Sequence, residues 1–289
     1  MPLSAKTVAG VGAKDSERVS GQTVNMAEEP SAEAVAAFLR SNVVPARRAE
    51  PRLAERLTSV ERQLVPSPDG LLAAWRLGGG PAVLLVHGWE DDNSLWAPMM
   101  DTLVPRDRSL VVFDLPAHGF SEGEWGLGPQ AADGILAVAA TLGPIDAVVA
   151  HSFGCGGVML AMSEGLTVDR AVFIAPPLRT ANRWLRYAER LGVSQEVAAA
   201  AQSIYERRIG APRAMFDFRA ELIALDVDLL VIHSADDERN PIADSQEVVP
   251  SCRRAELVIV DGLTHRRTAR DPEVVAHIAD FVTETRDQR

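Results

Sequence analysis

Residues 148–157 read "VVAHSFGCGG". A β-branched run stops at His151 and Ser152, and a cluster of small residues follows. The run fits a buried strand, and Gly156 to Ser163 carries a helical pattern. A strand that turns sharply into a helix strains the backbone at its tip. The positions two away on either side, here Ala150 and Gly154, must then be small because strand and helix approach closely. The tip hydroxyl of Ser152 projects where the strands end, beside the free N–H groups of the helix start. The plainer alternative is that Ser152 only caps that helix, so partners elsewhere in the chain must decide.

Outward from this turn the chain alternates. "AVLLVH" (82–87), "SLVVFD" (109–114), "DAVVAH" (146–151), "RAVFIA" (170–175), "DLLVIH" (228–233) and "AELVIV" (255–260) are nearly all apolar. Such runs suit strands buried on both faces of a parallel sheet. Helical spacing joins Leu95, Trp96, Met99, Met100 and Leu103, then Ile135, Val138, Ala139 and Leu142, and finally Val274, Val275, Ile278 and Phe281. Before them, "TSVERQLVP" and "LLAAWRL" flank "SPDG", a hairpin signal. The pattern predicts an α/β fold, a mostly parallel eight-stranded sheet with helices on both faces. About fifty residues separate the fourth parallel strand from the fifth, too many for a simple connection. They read as helices, "RTANRWLRYAERLG" and "SQEVAAAAQSIYERRIG", so residues 178–222 are expected to form a helical cap inserted between core segments 58–177 and 223–289. Residues 1–30 are polar and aperiodic, a leader expected to be disordered, with Met26 a candidate natural start. Residues 31–57 form an N-terminal segment with a short helix expected at 31–40, capped by Ser31.

A serine hydroxyl becomes nucleophilic when a base takes its proton and a carboxylate orients that base. Of six histidines, His87, His151 and His233 end buried strands, His118 lies in a turn with Asp114 nearby, and His277 lies on the last helix. The first four read as structural or supporting residues and His277 as a surface residue. His265 sits in "DGLTHRRTARDP", a loop after the last strand that can reach Ser152. "HSADDERNP" follows another strand and offers Asp236 and Asp237.

With Ser, Asp and His in this order on post-strand loops, the chain resembles the α/β-hydrolase superfamily, in particular its small capped serine esterase-like members. The resemblance rests on "VLLVHGWEDDNSLW", "VVFDLPAHGFSEG", "VVAHSFGCGGVML", "LLVIHSADDERNP" and "DGLTHRRTARDPEVVAHIADFV", and covers residues 58–284. It implies Ser152 as nucleophile, His265 as base and an oxyanion hole of two backbone N–H groups, those of Trp89 and Phe153. Matched to the family pattern G-x-x-D-x-x-V-P, the acid is Asp237 rather than Asp236. Ser234 and Asn240 depart from that pattern, and Asn240 is expected to make the pocket base more polar. The implied activity is hydrolysis of a carboxylic ester with a small or medium acyl group, through an acyl-enzyme and with no cofactor or metal. Thioester, lactone, amide or carbon–carbon bond cleavage and acyl transfer use the same triad and stay open. So does a non-catalytic binding or regulatory role. Halide displacement does not, because it needs a carboxylate in place of Ser152. Substrate-binding residues beyond these, and the oligomeric state, are not legible.

The remaining features are bland by comparison. A net charge of −11 argues against nucleic acid as a partner. No run suits a membrane span or a signal peptide. Cys155 and Cys252 lack metal or redox spacing, so a cytoplasmic location is expected. Glu90, Asp91 and Asp92 read as a solvated loop rather than metal ligands. The cap arginines, including Arg179, Arg207, Arg208 and Arg219, are interspersed with glutamates and read as a solvated face rather than as a site for phosphate-bearing acyl groups. Arg266 and Arg267 are candidates to pair with core carboxylates. Trp96 reads as core, and Trp89 as either core or substrate-facing.

Overall fold

The computed structural model describes residues 51–124, 126–179 and 217–284, with isolated positions between 31 and 45 and between 192 and 207. The leader, the helix expected at 31–40 and the two expected cap helices lie outside the described residues, isolated positions apart.

The apolar runs form the strands β1 (Gln63–Ser67), β2 (Gly70–Leu77), β3 (Ala82–Val86), β4 (Ser109–Phe113), β5 (Ala147–His151), β6 (Arg170–Ile174), β7 (Asp228–Ser234) and β8 (Ala255–Val260). They make one sheet in the order β1-β2-β4-β3-β5-β6-β7-β8. β1 and β2 are a hairpin, with Ser67 opposite Gly70, and β2 runs antiparallel to β4. The other neighbours are parallel. Every residue of β3, β4, β5 and β6 is buried. Their nearly all-apolar character follows, since helices cover both faces.

Among the described residues six helices do this: α1 (Ala97–Leu103), α2 (Gly128–Leu142), α3 (Phe153–Ser163), α4 (Arg219–Ala224), α5 (Ile242–Val248) and α6 (Pro272–Thr283). Alternation along β5 assigns the two faces. Val148 and Ala150 join the core with Ile135 of α2, Val158 and Met159 of α3, Leu222 of α4 and Val248 of α5. Ala147 and Val149 face Met99 and Leu103 of α1 and Val274, Ile278 and Phe281 of α6. Asp271 starts α6 by accepting from the Glu273 and Val274 N–H groups. Trp96 is fully buried.

The excursion after β6 leaves and returns at one place. Arg179 and Asp217 form an antiparallel bridge, and the Phe218 N–H donates to the Leu178 carbonyl at 3.0 Å. Arg179 also pairs with Asp244 and Glu247 of α5.

Candidate active site

β5 runs into α3 without an intervening loop. The helix begins at Phe153, three residues earlier than its pattern suggests. Ser152 holds the corner with φ 50° and ψ −119°. A non-glycine residue there stores on the order of 1–3 kcal/mol of strain, which the surrounding fold must sustain. Two neighbours explain the small residues. A Cβ at Gly154 would lie 2.5 Å from the His87 carbonyl oxygen and 2.8 Å from that of Val86. A Cβ at Gly88 would lie 3.2 Å from the Ser152 Cβ. The elbow is therefore pressed against the end of β3 by backbone on both sides. Ser152 makes no side-chain cap bond to α3, so the capping alternative does not describe it.

The Ser152 hydroxyl is directed at the loop after β8. His265 Nε2 lies 2.8 Å from its Oγ, and His265 Nδ1 lies 2.6 Å from Asp237 Oδ2. All three residues are buried. An ionised Asp237 fixes the tautomer, because Nδ1–H must donate to it and Nε2 is left to accept from Ser152. Asp237 Oδ1 accepts from the Arg239 and Asn240 backbone N–H groups at 2.8 and 3.0 Å. His233 Nε2 approaches Oδ2 at 3.5 Å. Burial alone would raise the Asp237 pKa, but hydrogen bonding from His233, His265 and the Asn240 N–H holds it well below the usual carboxylate range. Asp236 is engaged elsewhere: its Oδ2 accepts from the Gly262 N–H at 2.6 Å and braces the loop that carries His265.

The Trp89 and Phe153 rings lie 5.5 Å apart, edge to face. Among the described residues neither backbone N–H has an acceptor. Phe153 is the first residue of α3, where N–H groups lack intrahelical partners. The Gly88–Trp89 peptide is pinned from behind. Leu115 N–H donates to His87 Nε2 at 3.0 Å, so His87 Nδ1–H donates to the Gly88 carbonyl at 2.8 Å.

The other singled-out residues fall into supporting places. Asp114 accepts from the Asn93 and Phe120 backbone N–H groups and from the Asn93 amide. His118 Nδ1 lies 2.8 Å from the Pro116 carbonyl oxygen. Asn240 donates its side-chain amide to the Ala175 carbonyl at 2.8 Å and ties the acid loop to the end of β6. Asp91 pairs with Arg266, and Asp92 accepts from Ser94 at a helical start. His151 Nε2 lies 3.1 Å from the His265 carbonyl oxygen. That contact had no sequence signal, since its acceptor is backbone. Cys155 is fully buried and Cys252 partly so, and both thiols are free.

Comparison with known proteins agrees with this architecture. Residues 83–278 match the model of the alpha/beta hydrolase family. A pimeloyl-[acyl-carrier protein] methyl ester esterase of Xanthomonas campestris is 36% identical over 78 residues, 27% of this chain and 30% of the relative. A same-named esterase of Xylella fastidiosa is 41% identical over 44 residues, 15% of this chain and 17% of the relative. This chain thus spans less than a third of the length of either. Among solved structures, an esterase of Pyrococcus furiosus superposes with a TM-score of 0.64 at 16% identity, covering 83% of this chain and 97% of the other. A bromoperoxidase of Bacillus anthracis reaches 0.60 at 16% identity, covering 78% of this chain and 100% of the other. At these identities the structural likeness speaks to fold alone.

Proposed function

The chain belongs to the alpha/beta hydrolase family, and we propose that it is a carboxylic ester hydrolase acting through Ser152, His265 and Asp237. Ser152 Oγ attacks the ester carbonyl as His265 Nε2 takes its proton. The tetrahedral oxyanion is held by the Trp89 and Phe153 N–H groups. The imidazolium is stabilised by Asp237 and passes its proton to the leaving alcohol. Water, deprotonated by the same imidazole, then releases the acid and restores Ser152. The residues supply nucleophile, base and oxyanion donors, so the reaction draws on no metal or cofactor. Residues 178–222 are read as a cap that shapes the acyl pocket, and two free thiols fit a cytoplasmic setting.

The observation that carries this reading is the single imidazole spanning Ser152 Oγ and Asp237 Oδ2 at 2.8 and 2.6 Å. The elbow strain at Ser152 supports it. So do the esterases among the relatives and structural neighbours. The test is hydrolysis of p-nitrophenyl esters from acetate to dodecanoate, with a methyl ester of a medium-chain acid added because the curated relatives are named for one. Wild type and Ser152→Ala are assayed side by side. Turnover that peaks at short or medium chains and is lost in Ser152→Ala supports the reading. Turnover surviving in Ser152→Ala contradicts it.

A further inference from the structure

His151 precedes Ser152, yet its side chain belongs to the loop of His265. Its ring is 2% exposed, with its centroid 4.8 Å from that of His265. A carbonyl can only accept, so Nε2 must carry the proton it donates to the His265 carbonyl at 3.1 Å. On the other side of the ring, a Cβ at Gly88 would lie 2.9 Å from Nδ1. One imidazole therefore touches the elbow, the loop of His265 and the loop of Trp89. Nδ1 is buried and has no hydrogen-bond partner among the described residues, so a second proton there would be unsolvated.

We propose that His151 is a positioning residue for His265: a neutral imidazole whose Nε2–H holds the His265 carbonyl and so aims the His265 ring at Ser152 and Asp237. The proposal rests on the catalytic reading of Ser152 and His265. Fixing that carbonyl fixes the peptide that leaves the His265 Cα. The 2.6 and 2.8 Å contacts of the ring are then set from two sides. Without it, the loop is held at Gly262 by Asp236, at Leu263 by Ser234, at Thr264 by Thr268 and at Arg266 by Asp91, while the His265 backbone has no other hydrogen bond among the described residues. Neutrality matters for the same geometry. A charged ring at 4.8 Å would oppose the imidazolium that His265 becomes. The charged and titratable groups facing His151 are His265, Asp237 and Arg266. Burial first, then His265, push its pKa well below the ordinary histidine value, against opposing pulls from its hydrogen bond to the His265 carbonyl and from Asp237, with Arg266 adding a smaller push downward.

Three variants test this: His151→Phe, His151→Gln and His151→Asn. Phe fills the space without a donor, the Gln amide reaches the Nε2 position, and the shorter Asn amide stops near Nδ1. Two readouts are taken. One is the rate of Ser152 modification by a fluorophosphonate from pH 5 to pH 9. The other is the downfield proton resonance of the His265 Nδ1–H. Phe and Asn should label roughly ten- to a hundredfold more slowly than wild type, as expected for a misplaced base. Their His265 resonance should broaden or vanish, and Gln should recover most of both signals. A space-filling role would rank Phe above Gln. Phe or Asn labelling at the wild-type rate with the resonance intact overturns the proposal, as does Gln no better than Asn. Wild-type protein that fails to label at Ser152 overturns the reading of Ser152 as nucleophile instead, and the resonance still decides the role of His151.

Discussion

Replacing Asp237 by Asn changes one atom and reverses the chemistry of the site. Oδ1 accepts from two backbone N–H groups, Arg239 at 2.8 Å and Asn240 at 3.0 Å. The amide oxygen of Asn must stay there, because an NH2 group facing two donors would leave both buried N–H groups unsatisfied. The NH2 group is thereby forced to the Oδ2 position, 2.6 Å from His265 Nδ1. It can only donate, so His265 must move its proton to Nε2. That nitrogen then offers a proton to Ser152 instead of accepting one. The expected loss in kcat/KM is about 10³- to 10⁴-fold, on the order of 4–5.5 kcal/mol of transition-state stabilisation. KM should change little, because Asp237 lies behind the imidazole. The assay is p-nitrophenyl ester hydrolysis with active sites counted by fluorophosphonate titration. A loss smaller than about tenfold would refute the tautomer argument. Asp236→Asn is the paired control. It alters only the brace to Gly262 and should retain turnover within a few-fold.

Three more outcomes follow from the same geometry. Gly154→Ala forces a Cβ to 2.5 Å from a backbone oxygen, so it should destabilise the fold by about 1–3 kcal/mol in urea titration; an unchanged midpoint would show that the elbow can relax. The depressed pKa of Asp237 contributes stability that is fully present above about pH 4 and lost as pH falls through the folded value. Asp237→Asn should therefore lose less stability than wild type between pH 5 and pH 2.5, measured by urea midpoints. His151 has the same acid signature at higher pH. Its folded pKa lies below its unfolded one, so the unfolded chain takes up a proton first and stability falls as pH drops below about 6.5. The slope is about 1.4 kcal/mol per pH unit from this one group; it should be absent in His151→Gln and so appear in the wild-type-minus-variant difference.

Much of the fold was legible because buried strands announce themselves. β3 through β7 are apolar on both faces, and the helices between them keep their apolar positions at one spacing. The start of α3 was less legible. Gly154, Gly156 and Gly157 are poor helix formers, and the pattern alone delays the helix to Gly156. Packing explains them: Cβ atoms there would meet the His87 carbonyl oxygen, Phe218 and Ala131. The placement of Ser152 and His265 could be read from loops that follow strands, since all such loops in a parallel sheet gather at one end. The two adjacent aspartates were separated by the family pattern, which points to Asp237, and not by their chemistry, since both are acceptors on the same loop. The three-dimensional arrangement sends Asp236 to Gly262 and Asp237 to His265. The Arg266–Asp91 pair spans 175 positions, and the partners of His151 and Asn240 are backbone carbonyls. The sequence made Arg266 a candidate to pair with a core carboxylate but did not name Asp91, and a backbone partner leaves no mark in a single sequence.

The central claim is that Ser152 is a nucleophile activated by His265. The most direct measurement is intact-protein and peptide mass spectrometry after brief exposure to a fluorophosphonate, on wild type, Ser152→Ala and His265→Ala. One adduct per chain is expected on the peptide holding Ser152, none in Ser152→Ala and a labelling rate in His265→Ala lower by about a hundredfold or more. An adduct elsewhere in the chain, or His265→Ala labelling as fast as wild type, would contradict it.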